Sequence, residues 1–411
     1  MSRIAFIDNA GSLLSTVWRV QREGHEVKYW IKEDDSVTQK IGQGLVERVK
    51  TIKEIDDWKP DVIVAYRVDR EAMKLQRNDH TVWGASPHAQ KLEDKREFAC
   101  DLASSLGIKV PETVRFTDVK EAINFIENDN SRKQWVFKAE GGSVDVSSTH
   151  VTQSKDHLLS ILHFEATAAR ADAFVLQEFK AGVEISIEGW FDYRIDGGWL
   201  KPINSTLERK RLMVGDIGPM TGCMGSIVWA WPSVRPLLFR QTLEKMTPYL
   251  KKIEYIGPID GNFIIDYKER VPWFLEFTPR LGWDAFEAVM VGMSYGIGDF
   301  FVQLGKGTAK EMYLPKNRYM GAVRIYTPTA VNIPIIAPLR DEYNLHPKDL
   351  WCDNDELKTV GSVTCNGLSV IFEATGVGDT IKQTMAPIYE DIIPSITAPD
   401  KTFRNDIGVK A

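Results

Sequence analysis

Two segments of this chain carry residue types and spacings that suit chemistry. Gly215 to Gly225 reads GDIGPMTGCMG, with four glycines and a proline in eleven residues and Asp216 and Thr221 as its polar members. That is too much glycine for a helix or strand interior. It suits a loop whose backbone N–H groups come close to an anion, because glycine has no Cβ to block the approach. Some fifty residues on, Phe274 to Gly282 reads FLEFTPRLG and sets a lone carboxylate, Glu276, in an apolar strand, with Arg280 four residues later. A charge there is costly unless a metal ion or a counter-charge meets it. Together they point to phosphate chemistry; the plain alternatives are a capped turn and a Glu–Arg salt bridge.

Three further groups fit that chemistry. Lys138 ends an apolar run and precedes Gly141-Gly142-Ser143, so it can hold phosphates under a folding loop, or simply leave the strand for solvent. Gln177, Glu178 and Phe179, with Glu184 seven residues after Gln177, set polar groups at fixed offsets that can bond an adenine edge and a ribose diol, although by themselves they read as a solvated hairpin face. Asn262 and Asp266 lie on the strand expected to pair with that of Glu276. The three make a candidate Mg²⁺ site, since Mg²⁺ takes few protein carboxylates and fills its shell with water and phosphate oxygens.

The elements that must position these groups follow from periodicity. Ile4–Ile7, a turn with Gly11, a helix through Leu13, Leu14, Val17 and Trp18, and a strand at Val27–Ile31 make one βαβ unit, and Val62–Ala65 adds a strand. Residues 1–93 are thus expected to form a doubly wound α/β domain. Helices are expected from Asp94 to Leu106 and over Glu121–Asn128. Strands are expected at Trp135–Lys138, Phe174–Phe179 and Glu184–Phe191, with a hairpin of Ile259–Asp266 and Trp273–Phe277. From Tyr319 short β-like runs predict a small β-rich C-terminal domain over 319–411, closed by a helix near Ile381–Tyr389.

Bulk properties remove several function classes. A net charge of −6, from 51 basic and 57 acidic residues, argues against a nucleic-acid binder working by bulk charge. No apolar stretch reaches membrane-spanning length. Cys100, Cys223, Cys352 and Cys365 show no metal-binding spacing, so reduced thiols in a cytoplasmic protein are expected.

The order of these parts resembles the ATP-grasp ligases, and within them the phosphoribosylamine–glycine ligase family. Lys210-Arg211 through Asp216–Gly225 follows that family's K-R…D-x-G-P-N-T-G-G-M-G block. Gln177–Glu184 follows E-E-F-x-x-G-x-E, and Leu275–Gly282 follows L-E-F-N-x-R-F-G. Gly378-Asp379-Thr380 and Phe403–Gly408 resemble its G-D-T and Y-R-R-D-I-G segments. The resemblance implies a pre-ATP-grasp domain, an ATP-grasp domain over 94–318 with a mobile lid at about 110–175, and the β-rich C-terminal domain. It implies an ADP-forming carboxylate–amine ligation through an acyl phosphate, with ATP and Mg²⁺ or Mn²⁺, joining glycine to phosphoribosylamine. Lys95 and Lys138 would hold phosphates, Gln177, Glu178 and Phe179 adenine, and Glu184 ribose. Glu276, Thr278 and Asn262 would take the metal, Arg280 and Lys210 would serve catalysis, and Asp216, Gly218, Thr221 and Gly222 would meet the substrate. Partners would be small molecules, for a monomer or dimer.

The chain departs from the pattern at Gln177, Met220, Cys223, Thr278 and Trp283-Asp284-Ala285. The family's N-terminal G-N-G-G-R-E-H appears as Asp8-Asn-Ala-Gly-Ser-Leu, and spacing around Lys95 needs a one-residue insertion. Two alternatives stay open at this level: a ligase that uses another amine, and a nucleotide-binding protein without catalysis.

Overall fold

The computed structural model describes residues 1–409 except 34, 132, 141–148, 169–172, 234, 267 and 364–366. Four parallel strands open the chain: β1 (Arg3–Asp8), β2 (Glu26–Ile31), β3 (Val62–Arg67) and β4 (Val82–Ala85), in the order β2-β1-β3-β4. Ile4, Ala5, Phe6 and Ile7 are all buried, as expected for a parallel strand covered on both faces. The helix Leu14–Arg22 covers one side with Leu14, Val17 and Trp18. Asp8 closes the first turn, accepting from the Leu13 and Ala10 amides at 2.6 and 3.2 Å and from the Tyr29 hydroxyl at 2.7 Å.

A second, antiparallel sheet has its own core. It contains β5 (Thr113–Phe116), β6 (Trp135–Glu140), β7 (Thr149–Val151) and β8 (Ala173–Glu178), in the order β5-β8-β6-β7. Phe174 stacks between Phe116 and Phe137, with ring centroids 5.7 and 5.0 Å away. The helices Val119–Asn128 and Lys155–Ala168 pack against each other beside it.

The frame of the molecule is an eight-stranded sheet of β9 (Val183–Asp192), β10 (Trp199–Glu208), β13 (Gly225–Ala230), β14 (Ile256–Ile265), β15 (Pro272–Thr278), β16 (Tyr319–Pro328), β18 (Leu345–Pro347) and β21 (Leu368–Gly378). Its order is β15-β14-β9-β10-β13-β16-β21-β18. The β-rich character expected from Tyr319 is present, but β16 and β21 extend this sheet, with Ala322 opposite Ser226 of β13. β17 (Pro334–Ile335), β19 (Leu350–Asp353) and β20 (Glu356–Thr359) form a small sheet of their own. The closing helix is Ile381–Pro387, continued by a π turn to Ile392.

The central sheet has two unlike faces. Ile187, Phe263, Phe274 and Phe277 are fully buried in one core cluster, while Ser186, Glu188, Asp260, Asn262, Glu276 and Thr278 face the other way into a cavity. Between Asn262 opposite Glu276 and Phe263 opposite Phe274 the register slips by one residue. This bulge lets an apolar strand aim Glu276 at the polar side without exposing its phenylalanines. No single helix among the described residues is long and apolar enough to cross a membrane.

Candidate functional site

A cavity of about 350 Å³ lies against the polar face of the central sheet. Ala139 and Thr149 of the second sheet form one wall, and Glu93 and Arg96 form another. Glu184, Ser186 and Glu188 alternate along β9. Across from them on β14, Asn262 pairs with Ser186 and Asp260 with Glu188, and on β15 Glu276 and Thr278 stand opposite Asn262 and Asp260. Period-two alternation on three neighbouring strands therefore builds a polar floor in rows.

The cations are held firmly around it. Arg280 donates to both oxygens of Glu93, at 2.6 to 3.0 Å, and stacks on the Tyr66 ring at 5.1 Å. Burial works against its charge, but Tyr66, Glu93 and Glu276 more than compensate and hold its pKa above the usual arginine value. Glu276 is thus not its direct ion-pair partner. Lys210 reaches Glu184 at 2.5 Å, Glu208 at 3.4 Å and Glu276 at 3.8 Å, and these carboxylates outweigh burial to keep it protonated. Lys138 donates to Gln177 Oε1 at 2.8 Å; burial, with Arg96 and Lys210 nearby, brings it down to about 7. Burial raises the Glu276 carboxyl, yet Lys210, Arg96, Lys138 and Arg280 prevail and hold it below its ordinary value.

Glu276 and Asn262 suit a divalent cation. Asn262 is 5% exposed and its Oδ1 is buried without a hydrogen-bond partner. One ionised carboxylate, one free amide oxygen and the Thr278 hydroxyl leave the remaining positions to phosphate and water, as Mg²⁺ prefers. Among the described residues no group of three or more His, Cys, Asp or Glu is arranged to hold a metal by itself. Asp266 stays outside this set, because its carboxylate caps the hairpin turn by accepting from the Lys268 and Glu269 amides.

Other expected residues are placed differently. Lys95 is exposed at the cap of the helix Arg96–Ser105, and Arg96 takes the cavity wall in its place, with a buried NH1 that has no partner. Adjacent helical residues point about 100° apart, so a one-residue offset decides which cation enters. Gln177 is 2% exposed and braces Lys138 from within β8. Glu178 pairs with Lys180 at 2.8 Å, and Phe179 is partly exposed with its N–H given to the Gln134 carbonyl.

The glycine-rich segment is a hairpin rather than an open loop. β11 (Arg211–Met213) pairs with β12 (Ile217–Met220). Asp216, at φ 59°, turns the chain and is held by Arg404 at 2.9 Å and Arg209 at 3.1 Å, and the Gly218 carbonyl accepts from Arg211. Thr221 is buried and donates to the Lys210 carbonyl, while Gly222 and Cys223 line the cavity. The Gly141-Gly142-Ser143 turn lies outside the described residues.

Sequence reasoning missed Glu93, Arg96, Glu208, Asp260, Asp284 and Arg324 in the cavity wall and gave Glu188 no role there. The signal for the strand carboxylates was the alternation of charged residues within apolar strands. Burial pushes both Glu188 and Glu208 up to about 7, and burial with Glu188 and Glu208 nearby lifts Asp260 well above its ordinary value.

Residues 94–284 match the family model for the phosphoribosylglycinamide synthetase ATP-grasp (A) domain. The chain is 24% identical to the phosphoribosylamine–glycine ligase of Rhizobium meliloti over 82% of its own length and 79% of that protein. It is also 24% identical to the Helicobacter pylori enzyme of the same name, over 99% and 96% of the two lengths. The crystal structure of phosphoribosylamine–glycine ligase from Thermotoga maritima superposes with a TM-score of 0.73 at 20% identity, covering 98% of this chain and 100% of that one. The chain thus carries a phosphoribosylglycinamide synthetase-type ATP-grasp domain over residues 94–284 and is similar along almost its whole length to phosphoribosylamine–glycine ligases.

Proposed function

We propose that this protein joins glycine to 5-phosphoribosylamine with cleavage of ATP to ADP and phosphate, giving glycinamide ribonucleotide. The observation that carries this reading is a single cavity in which Arg96, Lys210 and Arg280, with Lys138 beside them, surround Glu276 and Asn262. Those cations suit polyphosphate, and the half-buried carboxylate with a free amide oxygen suits Mg²⁺ or Mn²⁺.

In this reading the glycine carboxylate takes the γ-phosphoryl group of ATP and ADP departs. The amine nitrogen then attacks the acyl carbon, the C–O bond to phosphate breaks, and the amine gives up a proton. When bound, the metal would neutralise charge on the phosphate oxygens. Arg280, fixed by Glu93 and Tyr66 before any substrate arrives, steadies the transferring phosphoryl and the acyl phosphate. Such preorganised charge lowers a barrier because no reorganisation is needed during reaction. Arg96 and Lys138 hold the ATP phosphates. Lys210 keeps Glu184 and Glu276 in place and offsets their mutual repulsion.

The test is ADP release with ATP, Mg²⁺, glycine and freshly generated phosphoribosylamine, each left out in turn. Release that needs all four supports the reading. ADP appearing at the same rate without the amine overturns it.

A further inference from the structure

We infer that Glu188 and Asp260 form a site for the ammonium group of the carboxylate substrate, so that the cavity selects an amino acid over a plain carboxylate of equal size. The inference rests on the ligase reading above and names a specificity determinant within it.

Glu188 and Asp260 stand directly opposite each other on neighbouring strands, and both line the cavity. They occupy the row next to Asn262 and Glu276 on the same face of the sheet. Two residues along a strand span about 7 Å, so a small molecule can touch both rows at once. The nitrogen of an α-amino acid sits two bonds from its carboxyl carbon. A carboxylate activated beside Glu276 and Arg280 therefore directs its ammonium toward Glu188 and Asp260.

Asp260 Oδ2 accepts from the Asn262 amide at 3.4 Å, but each carboxyl of the row keeps one buried oxygen without a hydrogen-bond partner. Glu188 is 3% exposed, and its Oε1 is buried without a hydrogen-bond partner. Asp260 Oδ1 is in the same condition. Lys210 is committed to Glu184 and Glu208, and Arg280 to Glu93. Two buried carboxyls facing one another without a cation are costly, which points to a ligand that brings one. An ammonium carries three donors and no acceptor, and suits the two free oxygens Glu188 Oε1 and Asp260 Oδ1.

Binding of glycine and of glycolate, which has a hydroxyl in place of the ammonium, is compared by calorimetry on the full-length protein with Mg²⁺ and a non-hydrolysable ATP analogue. The wild type should bind glycine at least tenfold more tightly than glycolate. Glu188→Gln and Asp260→Asn should each cut that preference to less than threefold, mainly by weakening glycine. A wild type without the preference, or variants that keep it, overturns the inference. So does a result in which the variants raise only the Mg²⁺ concentration needed for half-saturation, because the pair would then serve the metal. Ligation is read separately. Glycine preference without ligation in the presence of phosphoribosylamine overturns the ligase reading and leaves the ammonium site standing. Ligation whose glycine KM is unchanged in both variants overturns the ammonium site alone.

Discussion

The Lys138 ammonium donates to the side-chain oxygen of Gln177 at 2.8 Å, and the Gln177 amide donates in turn to the Thr113 hydroxyl at 3.1 Å. The bond to Thr113 fixes the amide so that its oxygen faces the lysine. The oxygen carries no charge, so it does not offset burial and the neighbouring cations Arg96 and Lys210, and Lys138 falls to about 7. At pH 8 most of the free protein then has a neutral Lys138, and ATP phosphates restore the proton on binding. Calorimetry of ATP-analogue binding at pH 8, in buffers of different ionisation enthalpy, should register uptake of close to one proton. Gln177→Glu places a negative charge against the lysine, raises its pKa and should cut the uptake to about a third or less. Uptake that is equal in both proteins would refute this.

Arg280 and Glu93 yield a separation of function from stability. Glu93 also accepts from Arg67 at 3.3 Å, so Arg280→Ala does not strand a buried carboxylate. Turnover should fall by roughly 10²- to 10³-fold, the scale for losing one preorganised transition-state contact. The unfolding midpoint should move by no more than a few degrees, about 1 kcal/mol. A large loss of Tm with nearly normal turnover in the surviving folded protein would make the pair a strut and not a catalytic contact.

Much of the frame was legible because hydrophobic periodicity is local. The hairpin of β14 and β15, the alternation of Glu184, Ser186 and Glu188 and the first βαβ unit all stand as their apolar spacing requires. The rest depends on distances that sequence does not carry. Glu188 and Asp260 are 72 positions apart, and only the register of two strands makes them neighbours. Arg96 takes the place expected of Lys95 because Lys95 caps the helix Arg96–Ser105, and neighbouring helical positions point about 100° apart. The glycine segment reads as an anion loop until Arg404, nearly two hundred positions on, closes it into a hairpin.

That hairpin can be tested through Arg404, whose side chain is 1% exposed and bonds Asp216, Asp406 and the Arg211 carbonyl. Arg404→Ala removes the shared cation and leaves two carboxylates facing each other, at a cost of about 2–4 kcal/mol. Asp216→Ala should cost less, about 1 kcal/mol, since Asp216 is half exposed. Urea midpoints with constant slope measure both. The ATP-analogue affinity of Asp216→Ala should stay within twofold of the wild type. A larger fall in affinity would put Asp216 at the nucleotide instead of at the hairpin tip.

Glu188 should show a stability cost carried for the sake of the site. Burial lifts its carboxyl to about 7 from an unfolded value near 4.5. Between those values the folded protein holds the proton that the unfolded chain releases, so stability falls as pH rises through the window. Above about pH 7 the side chain is ionised in both states and the cost is fully present; below about 4.5 it vanishes. Glu188→Gln removes the charge and keeps the shape. The variant should match the wild type near pH 4.5 and exceed it at pH 8 by about 2 kcal/mol, somewhat less than the full shift implies at 1.36 kcal/mol per unit. Glycine should narrow the gap at pH 8 by stabilising the wild type selectively, because its ammonium meets the ionised carboxylate. A variant less stable than the wild type at pH 8 would show that Glu188 is satisfied inside the protein and needs no ligand.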